Sequence, residues 1–437
     1  MRPTAQDLLG RPVDLLDPAL HASGRAADEL DALRRRAPVI WQPTRAGGIW
    51  CALSHAAALE VLSDPARFCS RLGTRVGVRR PPDALRPLHN LDPPEHRPLR
   101  RLAASPSARR ARSLTDRAPD APPDPPIHGS MGEPIDASDN RPAEAPPPSS
   151  ALHAALIARV DRCLELGQCD LAGDLAPWIG AAFVGAWLGL PASKWPDLLA
   201  LTRQSHHAGA RRLDAPPDDH PHRAQRLQAA ADAKDALYRF FDAELRAASA
   251  GALALWAAAD ATPWAERVGL CALTAEAGLQ TTADALCAAA LRLLQRPELR
   301  AHLGDPRARA TLIQESLRIC PPILHFSRVV DVDTALGGLR LRRGAQIAVW
   351  FEAANRDEAV FESPERFDPL RSPNPHLSFG AGPHRCLGAQ VADEALSVGL
   401  TALAPALEVM VIDGEVERRL SSFTAGWTRL RLRSERR

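Results

Sequence analysis

The chain has 437 residues, of which 45% are apolar and 24% charged, with a formal net charge of +2. That is enough apolar material for a large core, and the balanced charge excludes a nucleic-acid binder held by bulk electrostatics. The eight cysteines stand far apart with no CxxC pair, which excludes both a disulfide framework and a zinc cluster.

The amino terminus carries charges and prolines throughout and has no apolar h-region, so no signal peptide is expected. No window of about 18 uncharged apolar residues occurs, so no membrane span is expected either. The expected protein is soluble and cytoplasmic. In chain order, Asp28 to Arg36 reads as a helix, and Val39–Gln42 with Ile49–Leu53 as a short strand pair around Gly47-Gly48. Ser54 caps a helix to Leu62, and the stretch from Arg71 to Asn90, which holds no period, is a loop. Residues 113–150 contain ten prolines, and seven acids against two bases. Such a stretch buries too little apolar area to offset its ordering entropy, so it is expected to be a Pro-rich acidic insertion, disordered in solution.

Helical patterns resume at Ala151–Leu166 and Leu175–Leu188, and again from about Ala224 to Ala248. Trp264 to Leu294 is the longest candidate helix and apolar nearly all round, so it should cross the core. A helix at Arg309–Ile319 ends before Pro321-Pro322, and Val329 to Trp350 contains strand-like runs. The period-2 pattern is short and confined. The expected fold is mainly α with small β-sheets and no internal repeats.

The chemistry concentrates in Phe379-Gly380-Ala381-Gly382-Pro383-His384-Arg385-Cys386-Leu387-Gly388, ahead of a helix-like run from Ala389. A thiolate is a soft, strongly donating metal ligand that needs positive potential to stay deprotonated. Glycines let backbone pass close to a flat cofactor, and the following helix directs its positive end at the sulfur. This decapeptide closely resembles the haem-binding loop of the cytochromes P450, and three further motifs in the same order extend the resemblance over nearly the whole chain outside the insertion.

The resemblance implies one cytochrome P450 domain over 1–437 that binds haem b (iron protoporphyrin IX). It makes Cys386 the axial iron ligand, with Phe379, Gly380, Gly382, Gly388 and Ala392 around the cofactor. His96, Arg100, Arg328 and His384 match positions that bind the haem propionates, which call for cationic or N–H donors. Glu315 and Arg318, three apart on one helix face, match a buried charge network completed by Arg366. In Ala277-Gly278-Leu279-Gln280-Thr281-Thr282, which matches the oxygen-binding stretch, small Ala277 and Gly278 leave room for dioxygen and for local widening of the helix. Thr281 matches the threonine that steers protons. Gln280 stands where most members carry an acid, and a glutamine supplies no proton near neutral pH. Glu276, in a slot that is usually apolar, needs a partner, a raised pKa or a role in proton supply or substrate contact.

The implied activity is that of a haem-thiolate monooxygenase acting on O2 and a small, mostly apolar organic substrate. The sequence has no flavin or nicotinamide fingerprint, so electrons are expected from a ferredoxin or flavodoxin with its reductase. No nucleic acid and no membrane partner is expected. Two other readings stay open on the sequence: a haem-thiolate oxidase performing coupling or desaturation without oxygen insertion, and a non-catalytic haem- or ligand-binding protein.

Overall fold

The computed structural model describes residues 2–44, 47–76, 87–115, 150–213 and 223–435. Strands β1 (Val39–Gln42), β2 (Ile49–Ala52), β3 (Phe68–Cys69), β4 (His325–Val330) and β5 (Gln346–Trp350) form one sheet in the order β1-β2-β5-β4-β3. β2 runs parallel to β5, while the other pairs are antiparallel. Alternate residues divide between two cores. Val39, Trp50, Ile347 and Val349 pack on one side, and Ile40, Cys51, Ala348 and Trp350 meet Leu15, Leu30 and Leu33 on the other. A sheet covered on both faces explains why these strands read as near-continuous apolar runs.

Helix α1 (Ala26–Arg34) belongs to the second of those cores and α2 (His55–Ser63) to the first. Ser54 starts α2 as expected, its Oγ accepting the Ala57 N–H at 3.2 Å. The helical body follows: α3 (His96–Thr115), α4 (Ser150–Leu166), α5 (Ala176–Leu188), α6 (Trp195–Leu213), α7 (Arg223–Arg246), α8 (Gly251–Ala257), α9 (Trp264–Gln295), α10 (Pro306–Ile319) and α11 (Ala389–Val409). α9 packs against α5 and α11 and threads the largest core. Leu171–Leu188 is long and apolar enough to cross a membrane by composition, but 72% of it is buried here against that core.

The mainly α expectation therefore holds, with about 56% of the chain helical. α6 and α8 have no counterpart in the sequence reading, because the polar run Arg203–Arg212 masks the apolar stripe of α6 and α8 is only two turns long. The acidic proline-rich segment lies almost wholly outside the described residues, as do residues 77–86 of the Arg71–Asn90 loop.

Candidate active site

The loop before α11 is fixed by its glycines and by its neighbours. Gly382 has φ +64°, and a Cβ there would sit 2.8 Å from the Ser63 Cα at the end of α2, so no other residue fits without moving backbone. Gly382 thus docks the loop on α2 and does not itself line the cavity, whereas Phe379, Gly380, His384, Cys386, Gly388 and Ala392 all do. The Cys386 N–H donates to the Phe379 carbonyl at 2.7 Å, closing the turn. The Cys386 sulfur is open to the cavity but enclosed by protein. That burial pushes the thiol up, opposed by the Gly388 N–H and by the cations Arg385 and Arg100.

Glu315 and Arg318 form a bidentate pair on α10, both side chains 0% exposed, with nitrogen–oxygen distances of 2.7 Å. Arg318 also donates to the carbonyls of Asn355, Pro364 and Arg366. Glu315 accepts from the Asp368 N–H, Asn374 Nδ2 and Arg371 Nε. One expectation is corrected here. Arg366 joins the network through its carbonyl alone, and its side chain is exposed. The second guanidinium is that of Arg371, five residues on, because the chain turns after Phe367 and brings Arg371 back over the carboxylate. The network clamps the segment leading into the Cys386 loop onto α10: Asn355 Oδ1 accepts the Leu377 N–H, and Ser378 Oγ donates to the Leu317 carbonyl.

A cavity of about 2000 Å³ lies between this loop, β4, the start of α3 and one side of α9. His96, Arg100, Arg328 and His384, drawn from three separate parts of the chain, all line it. The His96 and His384 rings lie 4.3 Å apart. Arg328 is 5% exposed, and burial pushes its guanidinium down to about 10, yet its one described side-chain hydrogen bond goes to the Ser327 carbonyl. Burial, with His384 and Arg100 nearby, takes His96 down to about 4, and its Nε2 has no partner among the described residues. His384 is steadied by Ser70 Oγ at 3.2 Å, and Asp92 accepts the Ser70 and Arg71 N–H groups, fastening the neighbouring loop. Buried cations and an orphaned ring nitrogen around one wall are costly unless an anionic group completes them. With a sulfur ligand on the cavity floor, this donor set fits a flat dianionic cofactor such as haem.

The wall facing the loop is α9. Ala277, Gly278, Gln280, Thr281 and Glu276 all line the cavity. The helix does not widen at Ala277: it is α-helical throughout, and Thr281 Oγ1 donates to the Ala277 carbonyl at 2.6 Å. Glu276 and Gln280, four residues apart, are each committed elsewhere. Glu276 accepts from Ser205 Oγ on α6 and pairs with Lys234 Nζ on α7, each at 2.6 Å. Burial alone would raise its carboxyl, but Lys234, Ser205 and His206 outweigh that and hold it below the usual range. Gln280 Nε2 donates to Asp284 Oδ1 at 3.0 Å, and Asp284 is in turn clamped by Arg419. Pro98 falls in the first turn of α3, where a missing N–H costs nothing. Arg71 is taken up by Asp331 at 2.6 Å and Asp92 at 3.5 Å, while Arg75 lines the cavity over the Phe423 ring. Sequence reasoning missed Arg371, Asp284 and Arg419, because partners more than a helical turn away leave no spacing signal.

A cavity with the Cys386 sulfur on its floor, crossed by one long helix in a mainly helical domain, fits the class of haem-thiolate oxidoreductases. The family described as "Cytochrome P450" matches residues 310–428, which hold the Glu315–Arg318 pair and the Cys386 loop. Cytochrome P450 NovI of Streptomyces niveus is 28% identical over 89% of this chain and 88% of its own. Linalool 8-monooxygenase of Pseudomonas putida is 26% identical over 94% of this chain and 96% of its own. The structure of CYP108D1 from Novosphingobium aromaticivorans superposes with a TM-score of 0.78 at 25% identity, covering 99% of each chain. These likenesses are all to cytochrome P450s: the chain resembles that family over nearly its whole length, and it is an oxidoreductase of the monooxygenase kind, with haem b as its cofactor.

Proposed function

We propose that the chain inserts one oxygen atom from O2 into a small, mostly apolar organic substrate, in the cytoplasm, with electrons from a ferredoxin or flavodoxin and its reductase. The observation that carries this reading is the single cavity that joins the Cys386 sulfur to the Thr281 hydroxyl. The bound haem supplies oxygen activation and electron storage. The protein's own groups do the rest. Cys386, with the Gly388 N–H and two arginines near its sulfur, would hold the haem iron through that sulfur. Arg100, Arg328, His96 and His384 would hold its propionates. Thr281 keeps its hydroxyl hydrogen on the Ala277 carbonyl and turns its lone pairs to the cavity. Phe183, Trp187, Leu270, Leu273 and Phe326 give the substrate an apolar enclosure that excludes water. Arg97, Arg101 and Arg385 are exposed, and the Arg100 Nη2 donor on the Arg385 carbonyl at 2.7 Å brings α3 beside the Cys386 loop, giving basic groups suited to an acidic electron donor.

The test is the reduced carbon monoxide complex. It should show the red-shifted band of a thiolate ligand, and Cys386→His should lose that band while retaining haem. A band that survives the substitution refutes the reading. Product labelled from 18O2 separates oxygen insertion from coupling or desaturation, which would leave the product unlabelled. NADPH consumption with surrogate redox partners separates both from a binding protein.

A further inference from the structure

The acid that the oxygen-binding stretch lacks at position 280 stands one turn on, at Asp284, in a constructed setting. Asp284 is 4% exposed, and Arg419 Nη1 and Nη2 meet its two oxygens at 2.7 and 2.8 Å. The pair exists because residue 426 is glycine. Gly426 has φ +152°, and a Cβ there would collide with Asp284 Oδ1 and lie 2.7 Å from Arg419 Nη1. Burial raises the Asp284 carboxyl, with Arg419 and Gln280 opposing it. Among the described residues, the one remaining donor on this carboxylate is Gln280 Nε2. A carboxylate accepts only, so it keeps the Gln280 NH2 on Asp284 and leaves Oε1, which has no described partner, as the acceptor of this cavity-lining side chain. Thr281, with its hydrogen on Ala277, likewise presents lone pairs there. Neither side chain donates to the oxygen site. Both are set to receive a water's hydrogens.

Behind Arg419 lies a second cavity of about 190 Å³, lined by Arg292, Glu352, Arg356 and Arg418. Arg418 on its rim is solvent-exposed. The two cavities share Arg419, Ser421, Thr424 and Trp427, and the Ser421 and Thr424 hydroxyls are 3.3 Å apart. A polar space of this size has room for several waters, each needing about 30 Å³.

We propose that Asp284, held by Arg419, is a positioning residue that locks Gln280 as the acceptor for a proton-delivering water beside Thr281, and that this water is replenished from the second cavity past Ser421 and Thr424. Each transfer hands a proton from one water to the next and takes a replacement from bulk, so no side chain changes its charge. The proposal rests on the haem-thiolate reading above and deepens it.

The experiment uses the haem-loaded protein without organic substrate. The infrared C–O stretch of the reduced carbon monoxide complex reports hydrogen-bond donors at the oxygen site, and an oriented water there makes it shift between H2O and D2O. Asp284→Asn and Gln280→Met should each abolish that shift. With a plant-type ferredoxin and its reductase supplying electrons, both should also slow NADPH consumption on the order of tenfold, the low side of what positioned proton transfer contributes. Thr424→Val should slow it similarly while leaving the infrared shift in place. If Asp284→Asn does not load haem, Gln280→Met decides, because it keeps the Asp284–Arg419 pair. A D2O shift retained in Gln280→Met overturns the proposal and leaves Asp284–Arg419 as a tether between α9 and the Arg418–Trp427 turn. An unaffected Thr424→Val overturns the supply route. The thiolate-type visible band should persist in all three variants, and its absence from the wild type would instead sink the haem-thiolate reading.

Discussion

The charge network under the Cys386 loop allows the sharpest test of the assignment, because two arginines that look equivalent in sequence differ in the fold. Arg318 is 0% exposed and donates five hydrogen bonds, two to Glu315 and three to backbone carbonyls. Arg318→Ala breaks a buried ion pair, at about 3–5 kcal/mol, and strands three acceptors at about 1 kcal/mol or more each. The total rivals the roughly 5–15 kcal/mol by which a domain is stable. Glu315→Ala leaves the buried guanidinium without its carboxylate, again at about 3–5 kcal/mol. Arg371→Ala removes a charge-assisted contact at 3.2 Å but leaves Arg318 in place, so about 1.5–3 kcal/mol is expected. Arg366→Ala should cost within about 0.5 kcal/mol, since only its carbonyl is used and the substitution keeps that. Haem content per polypeptide and the urea midpoint measure all four. The order should be Arg318 and Glu315 far above Arg371, with Arg366 at wild type. If Arg366→Ala matches Arg371→Ala, or Glu315→Ala keeps full haem and midpoint, the reasoning is wrong.

Two further outcomes follow from acids on or near the site. Burial takes the Asp393 carboxyl up to about 6, against the Gln314 amide at 2.8 Å and the Arg385 charge. A raised folded pKa means the folded state binds the proton more tightly, so stability is greatest below the free value of about 3.9 and falls as pH rises to 6. Asp393→Asn should remove that slope in urea titrations between about pH 4 and 6 and gain at most about 3 kcal/mol at pH 7; an unchanged slope would refute the assignment. Lys234 and Ser205 hold the Glu276 carboxyl below the usual range, against its use as a proton donor. Glu276→Gln should therefore leave NADPH consumption and the infrared D2O shift unchanged and lower stability by about 1 kcal/mol or less, since Lys234 is 45% exposed. A loss of the D2O shift would return Glu276 to proton supply.

Much of the fold was legible because its signals are local. The strands around Gly47-Gly48, the Ser54 cap, the long apolar α9 and the proline stop after Ile319 each declare themselves within one window of sequence, and all four stand close to where they were expected. The Cys386 loop was legible for the same reason: its chemistry is packed into ten consecutive residues. What stayed hidden depends on contacts between distant segments. Arg366 and Arg371 sit in one short stretch with nothing to rank them, and the turn after Phe367 alone decides which guanidinium reaches Glu315. Glu276 looked like an unpaired acid in an apolar helix because Ser205 and Lys234 lie 71 and 42 residues away. Asp284 and Arg419 are 135 residues apart, and their pairing further requires a glycine at 426. The physical rule runs through all three cases. A buried charge is costly unless it is paired, so an acid that seems idle in the sequence signals a partner elsewhere in the chain. Once the partners are placed, Glu276 is tied to the helices above the cavity and Asp284 to Gln280. Of the two acids, only Asp284 holds the side chain next to Thr281, through the Gln280 amide.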